Sequence, residues 1–179
     1  MPSVSLEHNR YFRQLLLPGV GEEGQQKLQQ ARVLVIGTGG LGSPVLYYLA
    51  AAGVGTLGFM DDDQVEITNL QRQILHWEKD LNQPKSRSAL EKLQAFNSSL
   101  QYEPYSLRLT EQNAQDFIPK YDLVIAAVDN NETRALINQM CYFYKIPWID
   151  GGIREFVGTL SVFLPPHPPC YACMYNRPY

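Results

Sequence analysis

The run Gly37-Thr38-Gly39-Gly40-Leu41-Gly42 sets Gly37, Gly39 and Gly42 at the spacing G-x-G-x-x-G, with Gly40 inside it. Glycines at this spacing permit a tight turn and let backbone N–H groups close on phosphate oxygens. A helix that starts at the end of such a loop adds donors and a positive dipole. About twenty residues further on, Asp61 stands where an acid can accept from ribose hydroxyls. The loop alone does not separate NAD from ATP. Asp61-Asp62-Asp63 is followed by Asn69-Leu70-Gln71-Arg72-Gln73 and by Pro84-Lys85. Hydride transfer has no use for an Arg and a Lys here, whereas a triphosphate needs its charge neutralised during transfer. Asp129-Asn130 ends another apolar run, and a carboxylate at that place can hold Mg²⁺ bridging phosphate oxygens. Singly, Asp62, Arg72 and Lys85 read as a solvated acid, an ion-pair member and a helix cap. Jointly they read as a nucleotide site.

Such a site needs a sheet whose strands end beside it. Short apolar runs rich in β-branched residues, at 32–37, 56–60, 123–128 and 147–150, predict buried strands. A fifth strand is expected near 102–109, and a sixth at 158–164 after a Gly-Gly turn. Helical spacing covers 43–52, stopping at Gly53, and 86–96, with Ala89, Leu90, Leu93 and Phe96 on one face. It also covers 110–118, from a Thr110 N-cap, and 131–144, with Leu136, Ile137, Met140 and Phe143 as core stripe. This alternation predicts an α/β, Rossmann-like fold: a mainly parallel sheet with helices on both faces and an N-terminal helical extension broken at Pro18-Gly19. Residues 1–30 are then N-terminal helices of the same domain, and 31–164 the nucleotide-binding domain. Residues 165–179 form a proline-rich connector carrying Cys170-Tyr171-Ala172-Cys173.

With 179 residues, 45% of them hydrophobic, the chain suits one folded domain. A net charge of −3 offers no basic excess for a nucleic acid, and no apolar run is long enough to cross a membrane. Three cysteines do not make a disulfide framework, which points to a reducing, cytoplasmic setting.

The segments GTGGLGSP, DDDQVEITNLQRQ, QPK and VDNNETR, with the opening RYFRQLLLPGVGEEGQQKL, resemble the ThiF/MoeB/HesA family, bacterial relatives of ubiquitin-activating enzymes. The resemblance runs from about Arg10 to Cys173. It implies an adenylyltransferase that uses ATP and Mg²⁺ to activate the C-terminal glycine carboxylate of a small ubiquitin-like sulfur-carrier protein, of thiamin or molybdopterin type, releasing pyrophosphate. Carried over by position, Gly37, Gly39, Gly40, Gly42, Asp61, Asp63, Asn69, Gln73 and Asn130 bind the nucleotide. Arg72 and Lys85 contact the phosphates. Asp129 coordinates Mg²⁺ beside the reacting carboxylate. Arg13 reaches into the neighbouring subunit's site as an arginine finger, because the family is typically a homodimer.

Cys170-x-x-Cys173 has zinc-ligand spacing. The resemblance implies a second such pair further on, so Cys170 and Cys173 read as half of a Zn²⁺ site in a chain lacking the family's C-terminal part. Cys141 reads as a buried core thiol, and His76 and Trp77 as local packing and solvent-facing polarity. Two alternatives compete: an NAD-dependent oxidoreductase on the same fold, and a non-catalytic fragment of it.

Overall fold

Alternation along one strand organises the molecule. Val33 and Val35 pack to one side, Leu34 and Ile36 to the other, and each side joins its own buried cluster. A computed structural model describes residues 10–175. Residues 1–9 of the expected N-terminal extension and 176–179 of the expected connector lie outside the described residues. The strands are β1 (Arg32–Ile36), β2 (Thr56–Met60), β3 (Gln101–Tyr105), β4 (Leu123–Ala126), β5 (Trp148–Arg154) and β6 (Val157–Phe163). They form one sheet in the order β3-β2-β1-β4-β5-β6. All pairs are parallel except β5 with β6. The six expected strands are all present, and the α/β, Rossmann-like architecture is confirmed.

The helices are α1 (Phe12–Leu15), α2 (Gly21–Gln30), α3 (Gly42–Ala52), α4 (Lys85–Phe96), α5 (Ala114–Phe117), α6 (Asn131–Tyr144) and α7 (Tyr171–Tyr175). Helices α3 and α4 cover one face, through Leu46, Ala50, Ala89 and Leu93. Helices α5, α6 and α7 cover the other, through Ala114, Ile137, Cys141 and Tyr171. The break at Pro18-Gly19 separates α1 from α2 as expected, and Gly53 ends α3 in the left-handed conformation at φ +83°.

Three local expectations change. Gly151-Gly152 is not the turn before β6, because both glycines pair within β5, Gly152 opposite Thr159. The hairpin turns instead at Glu155-Phe156, with Glu155 at φ +56° supplying the left-handed residue a two-residue loop needs. Thr110 does not cap a helix over 110–118. Asn113 takes the Thr110 N–H at 2.9 Å and donates to the Arg108 carbonyl, so the chain turns first and α5 starts at Ala114. Phe143 is not in the core of α6: it is 74% exposed. The buried stripe is Arg134, Ile137, Asn138 and Cys141, and Phe143 lies about 240° around the axis from Ile137.

Beyond the proline run, α7 docks on the core. Tyr171 is buried against Trp148, itself stacked on Phe163 at 4.5 Å between ring centroids, and the Tyr171 N–H donates to Asn138. Among the described residues no helix is long and apolar enough to cross a membrane.

Candidate nucleotide site

From β1 the chain runs outward through β2 and β3, then returns to place β4 on the other side of β1. Ligands of open α/β sheets bind beyond the carboxyl ends of strands at such a reversal. An open cleft of about 1410 Å³ lies there, bordered by the loops after β1, β2, β4 and β5.

The loop after β1 contains two glycines required by its own fold. Gly37 sits at φ +94°, and a Cβ there would lie 2.5 Å from the Ala127 carbonyl oxygen, on the neighbouring strand's exit. A Cβ on Gly42 would collide with the Gly37 carbonyl, so α3 can start against the loop only with glycine at that position. Gly42 is buried and does not line the cleft, whereas Gly37, Gly39 and Gly40 do. Gly39 and Gly40 leave room for two side chains laid over the loop. The Gln73 amide is 3.4 Å from where a Gly39 Cβ would be, and the Arg72 stem 3.5 Å from a Gly40 Cβ.

Asp61, at the end of β2, holds this loop. The Thr38 N–H and hydroxyl donate to one carboxylate oxygen at 2.8 and 3.0 Å, and the other oxygen accepts from the Asp63 N–H. Asp63 in turn pairs with Lys85, whose buried ammonium is 2.7 Å from it at the first turn of α4. The Asn69 side chain closes a capping box by accepting from the Glu66 N–H. The next turn presents Arg72, exposed, with one guanidinium nitrogen donating to the Thr68 carbonyl at 3.2 Å. Asp129 is exposed after β4. Asn130 caps α6, its side-chain oxygen accepting from the Thr133 N–H at 2.8 Å. Asp61, Asp63, Asn69, Arg72, Lys85, Asp129 and Asn130 line one cleft.

Arg13 does not. It is exposed on α1, which Gln14 ties to the Ala52 carbonyl at the far end of α3. The loop lies at the other end of that 11-residue helix, about 15 Å away.

Two carboxylate groups bear on a divalent cation. Ligand atoms of Asp61, Asp62 and Asp63 lie within 4.8 Å of one another. Asp61 is committed to Thr38, however, and Asp63 to Lys85. Asp129 has an exposed carboxylate in the same cleft and fits a Mg²⁺ ion that retains several waters. Cys170 and Cys173 converge to 3.3 Å between sulfurs and could supply two of the four ligands that a structural zinc requires. Cys141 is buried, which pushes its thiol up to about 12, so it is no nucleophile.

Two features escape sequence reasoning. Arg134 donates to Asp150 at 2.7 Å, to the Val128 carbonyl at 2.5 Å and to the Gly151 carbonyl at 3.1 Å, joining α6 to the exits of β4 and β5. The signal was present: Asp150 ends the apolar run 147–150, as Asp129 follows the run 123–128. The second is His76, which is buried and not solvent-facing. Its ring nitrogens meet the Ser88 hydroxyl at 2.9 Å and the Thr38 carbonyl at 3.0 Å. Ser88 also contacts Asp80, which pairs with Lys92.

These buried groups set a pH dependence of stability. Burial pushes His76 below its ordinary value of 6.5, with Lys85 and Lys92 adding to the effect and the Thr38 carbonyl and Asp61 opposing it. The unfolded chain therefore binds the extra proton, and stability falls as pH drops through 6.5. Burial alone would raise Asp80, but Lys92, the Trp77 N–H and Ser88 outweigh it and hold it below 3.8. Its contribution is present above that value and lost below it. The urea midpoint is expected to be level between about pH 7 and about pH 8, to fall toward about pH 5, and to fall again below about pH 4. A midpoint that rises between about pH 7 and about pH 5 would contradict this.

A profile of the ThiF family matches residues 11–179. A sulfur carrier protein adenylyltransferase of Thermus thermophilus is 45% identical over 179 residues, spanning 96% of this chain and 65% of that protein. The adenylyltransferase and sulfurtransferase MOCS3 of Xenopus laevis is 44% identical over 169 residues, spanning 94% of this chain and 38% of that protein. Among solved structures, E. coli MccB with ATP matches with a TM-score of 0.82 at 27% identity, over 94% of this chain and 52% of that one. The chain thus spans less than two thirds of the length of each of these proteins.

Proposed function

The chain belongs to the ThiF family, and from that premise we propose that it carries the nucleotide site of a MgATP-dependent adenylyltransferase. The acceptor is the C-terminal glycine carboxylate of a small ubiquitin-like sulfur-carrier protein, and the setting is cytoplasmic. One observation carries this reading: the exposed Arg72, the buried Lys85 and the exposed Asp129 border the same cleft as the glycine loop. A dinucleotide would leave the two cations without work. The names of the relatives in Thermus thermophilus and Xenopus laevis, and the ATP complex of MccB, point the same way.

In the reaction, a carboxylate oxygen of the acceptor attacks the α-phosphorus. The bond to the bridging oxygen breaks, and pyrophosphate leaves with the electron pair. No nucleophile or general base is required of the protein, only alignment and charge compensation. Loop N–H groups and the α3 N-terminus receive phosphate oxygens. Arg72, its stem against Gly40, stands over the loop with its charge available. Lys85 exchanges Asp63 for a phosphate oxygen, so the free chain keeps the ammonium paired until nucleotide arrives. Asp61 holds the loop and retains oxygen lone pairs for ribose hydroxyls. Asp129 would hold Mg²⁺, which supplies neutralisation of phosphate charge when bound. Arg13 enters this scheme only through a second copy of the chain, since its own cleft is beyond reach. Cys170 and Cys173 would contribute to a zinc site completed by two further ligands.

A thermal-shift titration tests the reading. MgATP at 100 times its Kd stabilises by about 2.7 kcal/mol, so Tm rises by roughly 5–10 °C. NAD at the same concentration is expected to leave Tm unchanged. A rise with NAD and none with MgATP would overturn the assignment.

A further inference from the structure

The proposed reaction gives no work to His76, yet the ring lies beneath the glycine loop at 3% exposure. Thr38, fully buried in that loop, is fixed from both ends. Its N–H and hydroxyl donate to Asp61, and its carbonyl oxygen accepts from the Ser43 hydroxyl at 3.0 Å and from His76 Nε2 at 3.0 Å. A carbonyl only accepts, so Nε2 must carry the hydrogen, and a neutral His76 must accept at Nδ1. The Ser88 hydroxyl has one hydrogen and two acceptors 2.9 Å away, His76 Nδ1 and Asp80. Lys92 joins the same cluster. Its ammonium binds Asp80 and also donates to the Ser88 oxygen at 3.3 Å, while the Trp77 N–H gives Asp80 another donor at 2.9 Å. Ser88 shares that one hydrogen between Asp80 and Nδ1, and the Thr38 carbonyl, an acceptor only, is what keeps the proton on Nε2. Ser88 and Lys92 lie one turn apart on α4, the helix that starts with Lys85.

On the nucleotide reading above, we propose that His76 is a positioning residue for phosphate binding: its Nε2–H holds the Thr38 carbonyl, and with it the glycine loop, in the receiving geometry, while Ser88 seats the ring at Nδ1. The ring touches no ligand. It acts through the backbone of the loop, 38 residues away in sequence.

His76→Ala removes one of the two donors to the Thr38 carbonyl and leaves a void beneath the loop. His76→Gln returns an N–H donor to the ε position. Ser88→Ala removes the ring's partner at Nδ1 and leaves the ring in place. The test reads two quantities on the whole chain: MgATP affinity by titration, and amide hydrogen exchange over residues 37–42 without nucleotide. His76→Ala is expected to weaken MgATP binding on the order of tenfold and to speed exchange across the loop. His76→Gln is expected to recover most of both, and Ser88→Ala to fall between. A purely structural His76 would lower Tm in both His76 variants with no recovery of affinity by glutamine, and that outcome overturns the proposal. If His76→Ala does not fold, His76→Gln and Ser88→Ala decide: affinity in Ser88→Ala equal to the unaltered chain, with affinity in His76→Gln lost, overturns it. Loop exchange unchanged in His76→Ala overturns this inference alone. An unaltered chain that binds no MgATP overturns the nucleotide reading instead, and the exchange comparison still decides whether His76 holds the loop.

Discussion

Arg72→Ala and Asp129→Ala are each expected to lower ATP–pyrophosphate exchange by about 10²–10³, a loss on the order of 3–4 kcal/mol in transition-state stabilisation. Both side chains are exposed. Neither is held by a buried partner, so removing them should leave stability within about 0.5 kcal/mol. That separation is the signature of a residue whose work is done on the substrate. Among the described residues the guanidinium of Arg72 donates to the Thr68 carbonyl, and its stem lies over Gly40. Charge developing on the leaving pyrophosphate would meet it without reorganisation of the loop. Asp129 acts with the opposite sign, and its loss removes the carboxylate that would hold Mg²⁺ against the phosphates. The two effects should differ in their response to metal. Raised Mg²⁺ concentration is expected to recover part of the Asp129→Ala loss and none of the Arg72→Ala loss. Exchange within threefold of the unaltered protein in either variant would remove that residue from the mechanism.

Gly37, Asp61 and Asp129 were legible because each lies within a few positions of a strand's carboxyl end, where chain direction alone fixes location, whereas Arg72 and Lys85 lie well beyond β2 and were legible from their charge beside those residues. Gly37, Asp61 and Asp129 are brought together by β1, β2 and β4, and those strands announce themselves as short apolar runs. Their geometry was less legible. Asp61, read as a ribose ligand, spends one oxygen on Thr38, and Gly42, read as a nucleotide contact, is a packing position under Gly37. Asn130 serves as a helix cap before it serves anything else. Local rules misplaced the β5–β6 turn because Gly-Gly is a turn signal only when no partner strand claims it, and here Thr159 and Leu160 do. They misplaced Phe143 because apolar spacing on α6 competes with a buried face that is half polar, occupied by Arg134 and Asn138. Sequence reasoning has no access to such a face until the partners are known. His76 and Thr38 stand 38 positions apart, and Arg134 and Asp150 stand 16 apart. Contacts over such separations follow from the fold and do not announce themselves in composition.

Arg134→Ala is expected to be the most destabilising of these single changes, by about 3–5 kcal/mol, because it strips a buried carboxylate of its cation. Asp150 is 4% exposed and would be left buried without its cation. The same substitution removes donors from the Val128 carbonyl, just after β4, and from the Gly151 carbonyl, within β5. For a domain whose whole stability is about 5–15 kcal/mol, a fall of roughly 10 °C or more in Tm follows. The double variant Arg134→Met, Asp150→Leu separates the two contributions. It leaves no buried charge unpaired, so it should regain part of the loss. The carbonyls of Val128 and Gly151 still lack their donor, so it should not regain all. Those carbonyls flank Asp129 and Gly152 at the cleft. The double variant is therefore expected to fold and yet to bind MgATP more weakly than the unaltered chain. A loss below about 1 kcal/mol for Arg134→Ala, measured from urea unfolding with unchanged m, would mean that Asp150 finds water when the guanidinium leaves. The pair would then be a surface ion pair in energetic terms, and the alignment of the β4 and β5 exits would have to come from the sheet alone.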